Sequence, residues 1–290
     1  MSENSSPFPR GDKAETARTR RPPLPGSQLT TLIVLAIALA VLTVNIWMTF
    51  RWVEQQRAGS QEHAFWALCH PGFPAAQRER AFSQLVAAGN KEWRCADLQG
   101  LNLAGIALPG ADLQGAMFRQ SNLNGANLQR ANFRDGSLEM ADLTGANLSR
   151  ADLSETQLWR AILHKANLRR ANLRAASLEQ VRGENTDLIL ADLSDANCLM
   201  ANFADARLDG ANLSGARLEA AVLKGARLAL TRLDGADLKN ADFTNANWWR
   251  ALGLKTAQIE SLKQQFAPDE TADPAIKKDY AKWLGDAGRN

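Results

Sequence analysis

From Leu98 to Trp248 the chain places Leu or Phe at every fifth position, and the register holds across 31 units. Only Gly183, Cys198 and Trp248 depart from Leu or Phe at that position, here called i. Position i−2 is Ala in 23 units, and position i−1 is Asn or Asp in 19. Position i+2 is Gly in ten. An α-helix repeats every 3.6 residues and a flat strand every two, so neither explains a period of five. Residues two apart on an extended segment face the same way, so i−2 and i point inward together while i−1 points out. Asn and Asp at i−1 bond nearby backbone and favour turns. Gly at i+2 suits a corner with unusual dihedrals. A short extended edge and a corner every five residues predict a stacked array with a long regular surface rather than a deep pocket.

The units Ala126-Asn127-Leu128-Gln129-Arg130, Ala146-Asn147-Leu148-Ser149-Arg150 and Ala166-Asn167-Leu168-Arg169-Arg170 carry the pattern in full. This pattern resembles the pentapeptide-repeat family, over a little more than half of the chain. The resemblance implies an all-β solenoid, a right-handed quadrilateral β-helix with four pentapeptides per coil, so that residues 20 apart stack. At a strand spacing of ~4.8 Å, nearly eight coils would extend roughly 37 Å. The family often dimerises through its C-terminal end, which makes a homodimer an implication of the resemblance. Gly183 leaves an interior slot empty, and its neighbour one coil on is Phe203, larger than the usual Leu. Phe203 and Val181 are expected to fill that space; the alternative is a local loop at Gly183-Glu184-Asn185.

Residues 1–28 are polar, with Ser, Pro and basic residues, and read as a disordered basic segment. Leu29 to Phe50 contains no charge. Twenty-two helical residues would span ~33 Å, enough for a bilayer core, so 29–50 reads as a transmembrane helix holding the lipid bilayer. Trp47 and Trp52 stand where an interfacial aromatic belt would lie. Ala38-Leu39-Ala40 resembles a signal-peptide cleavage site, but the apolar run continues beyond it, which favours an uncleaved anchor. Arg10, Lys13, Arg18, Arg20 and Arg21 precede the run and only Arg51 and Arg57 follow closely. That asymmetry predicts a single-pass protein of a bacterial inner membrane, N-terminus in the cytoplasm and repeat domain in the periplasm. Residues 51–94 read as a helical linker and N-terminal cap, 95–252 as the repeat region, and 253–290 as a C-terminal helical cap. Open ends of such a stack expose unpaired edges, which is why caps are expected.

Chemistry is sparse. His63, His70 and His164 are the only histidines, and no ligand set of metal-binding spacing surrounds them. No nucleophile, base and orienting group cluster together, so the reading is a non-enzyme without cofactor or metal. Cys198 occupies an interior i position. Cys69 and Cys95 flank the N-terminal cap and would pair in an oxidising compartment, or remain thiols in a reducing one.

Charge alters the picture only when sorted by coil face. The whole chain carries 34 Lys and Arg against 31 Asp and Glu. Some pentapeptide-repeat proteins protect DNA gyrase through a strongly acidic, DNA-like surface, and the near balance here departs from that, so nucleic acid is not an expected partner. One of four faces carries Arg130, Arg150, Arg169, Arg170, Arg207, Arg227 and Arg250, opposed only by Asp187 and Asp209. It is the candidate face for an anionic partner. The next face in chain order holds seven acids against three bases. Trp159, Ile189, Leu190, Leu199 and Met200 lie at outward positions and form a candidate apolar contact. The first expectation is a membrane-anchored scaffold binding a protein at the cell envelope. The alternatives are a modulator of a nucleic-acid enzyme such as gyrase, by family analogy, and a binding module for anionic lipid or envelope polymer.

Overall fold

The computed structural model describes residues 42–43, 64, 68, 74–270 and 272–287. The chain divides into two compact units, Met1–Ala58 and Gly59–Asn290. Of the first, only Leu42 and Thr43 are described. In the second, helix α1 (Ala75–Ala87) precedes the five-residue array. A 3-10 turn (Trp248–Arg250) and helices α2 (Thr256–Phe266) and α3 (Pro274–Ala287) follow it.

Parallel bridges join residues 20 apart, from Glu92–Asp112 to Arg232–Leu252. Four pentapeptides therefore make one coil. Each unit repeats the same bonds. The Leu148 N–H donates to Asn167 O at 2.8 Å, and the Asn167 N–H donates back to Ala146 O at 2.9 Å. The Arg150 N–H donates to Arg169 O at 2.9 Å, and the Ala151 N–H closes the corner onto Leu148 O at 3.0 Å. Every fifth residue from Cys95 to Asn245 is left-handed, with φ between 54° and 71°. A turn closed from i to i+3 with a left-handed third residue is a type II turn, for which Gly is the favoured occupant. Ten corners have Gly; the rest carry side chains such as Arg150, Leu190 and Met200 in the same conformation.

These corners correct the expected fold class. Among the described residues no strand forms, and the coils are joined by isolated single-residue bridges. The array is therefore not an all-β solenoid or a quadrilateral β-helix made of strands. A strand needs a run of extended residues. Here a left-handed residue bends each side of the coil before the run can lengthen.

The membrane expectation is corrected as well. Among the described residues no helix is long and apolar enough to cross a membrane. Apart from Leu42 and Thr43, the run Leu29 to Phe50 lies outside the described residues. The anchor, the bilayer as partner and the inner-membrane topology built on it are accordingly withdrawn.

The core is a column running through the coils. Leu98, Leu128, Phe133, Leu148, Leu173 and Phe203 are buried at i, with Ala126, Ala146 and Ala166 buried at i−2. Each buried Leu or Phe contributes about 1.5–3 kcal/mol of transfer free energy. Phe118 and Phe133 meet in a tilted pair with centroids 5.6 Å apart. Outside, the Asn or Asp at i−1 accepts from the backbone N–H two residues on, as Asp142 Oδ1 does from Thr144 at 2.9 Å. Asn side chains also bond along the stack. Asn132 donates to Asp112, Asn172 to Asp152 and Asn212 to Asp192, at 2.9–3.1 Å.

Both ends of the stack are covered. In α1, Phe82 and Leu85 are buried, and the Phe82 ring lies 4.6 Å from that of Trp93. The first coil has no coil before it to accept its i−1 N–H groups. Leu68 O takes the Asp97 N–H at 2.9 Å, and Glu79 Oε1 takes the Asn102 N–H at 3.0 Å. Arg78 clamps the same edge through Asp97 Oδ1 and the carbonyls of Asp97 and Gln99. At the other end, Trp248 donates to Phe266 O at 3.0 Å and Trp249 to Asp279 Oδ2 at 2.8 Å. Tyr280 and Trp283 of α3 close an aromatic cluster with them.

Candidate functional site

The 20-residue register places Arg130, Arg150 and Arg170 in one corner column, with Arg169 beside the last. All four are exposed. Of the seven arginines of this face, four are engaged. Asp187 holds Arg169 at 3.2 Å and Arg207 at 3.0 Å. Asp209 holds Arg227 at 3.2 Å. Arg250 binds Asp279 of α3, a carboxylate from outside the array. Its place is in the C-terminal cap. The hydrogen bond from Arg250 holds the Asp279 carboxyl below the usual carboxylate range, and the same bond raises Arg250. Arg130, Arg150 and Arg170 make no ion pair among the described residues.

The acidic face behaves differently. Arg134 pairs with Asp135 at 3.6 Å and with Glu155 at 2.9 Å, and Arg174 approaches Asp195 at 3.9 Å. Its i−1 line reads Asp112, Asn132, Asp152, Asn172, Asp192, Asn212, and each Asn bonds the Asp before it. Neighbouring carboxylates on that line are thus two coils apart, and the face does not present an uninterrupted acidic ladder.

The apolar candidates are not brought together. Leu190 and Met200 are ten residues apart, half a coil, and so occupy opposite corners. Both are exposed, at 49% and 54%. Ile189 accompanies Leu190, while Trp159 and Leu199 share the Met200 side, two coils from each other. Arg160 covers the Trp159 ring at 4.5 Å. Leu230, 67% exposed, stands on the Leu190 corner two coils on, and that shared column is the signal that identifies it. Trp249, another outward position by register, is buried under α3.

Cys95 is an exposed free thiol at a left-handed corner; Cys69 lies outside the described residues. Cys198 is buried and its thiol is pushed up to about 12 by desolvation, which leaves it inert. Among the described residues no group of three or more His, Cys, Asp or Glu could hold a metal ion. His63 and His70 lie outside the described residues. A groove of about 380 Å3 separates the last coil, at Ala236–Ala241, from α2, and polar Gln258, Ser261 and Gln265 line it.

A family profile described as Pentapeptide repeats matches eight copies, over residues 96–135, 141–180 and 211–250. No curated protein matches significantly. Among solved structures, the chain is similar to HetL, a pentapeptide repeat protein involved in heterocyst differentiation regulation in the cyanobacterium Nostoc sp. strain PCC 7120. The identity is 28%, covering 58% of this chain and 95% of that one, at a TM-score of 0.29. Full-length QnrB1, a plasmid-mediated fluoroquinolone resistance protein, is 17% identical over 63% of this chain and 97% of its own, at a TM-score of 0.30. A pentapeptide repeat protein from the Arabidopsis thaliana thylakoid lumen is 25% identical over 51% of this chain and 90% of its own, at 0.23.

Proposed function

We propose that this chain is a pentapeptide-repeat protein acting as a non-catalytic, protein-binding modulator of a nucleic-acid enzyme of the gyrase type. The protein is not an enzyme. The observation that carries the binding role is the filled interior: mostly Leu, Phe and Ala occupy the coil axis from Leu98 to Phe243, so the flank is what a partner can meet. The profile match supports the choice of family. Fluoroquinolone resistance is the property named for QnrB1, and it directs the first assay to gyrase. The membrane-anchored scaffold is replaced by this reading, because no membrane-crossing helix exists among the described residues.

The charge pattern limits how such modulation would work. The acidic face is interrupted by Asn and partly offset by Arg134 and Arg174. It is a poor imitation of a phosphate backbone. Contact with a protein surface of the enzyme, rather than occupation of its DNA channel, is the mode that fits. The test is gyrase supercoiling and drug-stabilised cleavage, measured as the purified protein is titrated in, with and without a fluoroquinolone. A dose-dependent change in either supports the reading. Unchanged activity and unchanged drug sensitivity at large molar excess reject gyrase as the partner.

A further inference from the structure

We propose that the column Arg130–Arg150–Arg170, continued by Leu190 and Leu230, is a docking ridge for an amphipathic helix of a partner protein, acidic along one stretch and apolar along the next. The inference rests on the protein-binding role of the flank, and not on gyrase being the partner.

Three observations converge on it. First, the column is charged and unanswered. On its face Arg169, Arg207, Arg227 and Arg250 have carboxylate partners; Arg130, Arg150 and Arg170 have none among the described residues. Asp152, two residues after Arg150 in the chain, accepts from Ser154 and Asn172. Second, all three arginines stand at left-handed corners, with φ of 59°, 60° and 57°. They occupy three successive corners of one column, so the register stacks their side chains on one line of the surface. Third, the same column turns apolar. Leu190 follows Arg170 by one coil and leans across Gly210, where an added Cβ would stand 2.8 Å from Leu190 Cδ2. Leu230 comes two coils later, two-thirds exposed.

Spacing selects the occupant. Coils repeat at about 4.8 Å, so the arginines span about 10 Å and Leu190 lies about 14 Å from Arg130. A helix rises 1.5 Å per residue. Acids three or four and then seven residues along would meet the three arginines, and an apolar residue ten along would meet Leu190. An extended strand, whose same-side residues repeat at about 6.6 Å, drifts out of step within two coils.

The probe is a synthetic helical peptide with Glu at its first, fourth and eighth positions and Leu at the eleventh, labelled for anisotropy and titrated with the full chain. The comparison variant is the triple substitution Arg130→Gly, Arg150→Gly, Arg170→Gly, which removes charge while giving each corner its preferred residue. Expected are saturable binding of the peptide and a loss of about tenfold in the triple variant. A shallower salt dependence and a further loss on Leu190→Ser complete the expected result. Binding unchanged in the triple variant overturns the proposal, as does a scrambled peptide of equal charge binding equally well. Preference for a short DNA duplex or for anionic vesicles over the peptide overturns it in favour of those partners, and no binding at all rejects it. Peptide binding without an effect on gyrase would reject gyrase and leave the ridge standing.

Discussion

The ring of Phe203 lies across the place where Gly183 has no side chain. A Cβ added to Gly183 would stand 2.8 Å from Phe203 Cδ1 and 2.9 Å from Cε1. Gly183 keeps the regular register, its N–H donating to Asn202 O at 2.7 Å, so no loop interrupts the array there. Val181, buried, takes the usual Ala position beside it. One coil's missing side chain is thus supplied from the next.

Coupling between these two positions should be large. Phe203→Leu leaves a void and is expected to cost about 1–2 kcal/mol. Gly183→Leu alone clashes, at about 1–3 kcal/mol. The double variant should recover most of both losses, giving a coupling of about 1–3 kcal/mol in a double-mutant cycle followed by urea unfolding. Simple additivity would mean that the residues do not share the space.

Corner glycines test the left-handed turn itself. At Gly145 an added Cβ meets nothing within 4 Å, while φ is +65°. Gly145→Ala therefore isolates backbone strain and should cost roughly 1–2 kcal/mol. The reverse change, Ala220→Gly, starts from φ 55°. It makes the opposite exchange at an equivalent corner, so relief of strain and the greater entropy lost on ordering glycine both enter with reversed sign, and a stabilisation of about 1 kcal/mol is expected. Thermal unfolding of both variants measures the pair, and shifts that are not opposite in sign would argue against strained corners.

Alternation of Asp and Asn on the acidic face should matter electrostatically. Asn172→Asp would place carboxylates at 152, 172 and 192 on successive coils and delete the bond from Asn172 to Asp152. Charges one coil apart repel by about 1 kcal/mol in water. The new carboxyl would have a raised pKa in the folded state. Its cost is then present above that pKa and disappears as pH falls through it. The variant should lose stability relative to the parent at pH 7 and recover part of it near pH 4. A deficit independent of pH would assign the effect to the lost hydrogen bond.

The C-terminal cap should loosen in acid. Asp279 is held below the usual carboxylate range chiefly by the hydrogen bond from Arg250, helped by Trp249. A depressed folded pKa gives stabilisation that is complete above the ordinary carboxylate value and lost as pH falls through the lowered one. Fluorescence of the Trp248, Trp249 and Trp283 cluster reports it. Asp279→Asn should abolish that acid transition, and an unchanged transition would place its origin elsewhere.

Interior positions are the part most legible in the sequence. A Leu or Phe at i, such as Leu148 or Phe133, has one place to go, because exposing it forfeits burial and the register repeats the choice at every unit. Corners are legible where Gly145 or Gly210 stands, but Arg150 and Leu190 adopt the same left-handed dihedral against their own preference. There the bonds of the neighbouring coils decide. The expectation of strands failed for the same reason, since side-chain alternation between Ala146 and Leu148 says nothing of how soon the backbone bends at Arg150. Charge by face is countable from the sequence; pairing is not. That Asp187 holds two arginines, and that Asp279 reaches Arg250 across 29 residues, depends on tertiary placement. Leu190 and Met200, close in the chain, face opposite ways, as half a coil of register already places them.

The bridge register has a consequence for how such a chain can change length. Removing five residues keeps every Leu inside, yet it rotates everything downstream by a quarter turn and breaks each column at the cut. Removing twenty shortens the rod by one storey and leaves every column intact. Insertions and deletions in multiples of five would pass the test of folding, and only multiples of twenty would preserve a ridge such as the one that runs from Arg130 to Leu230.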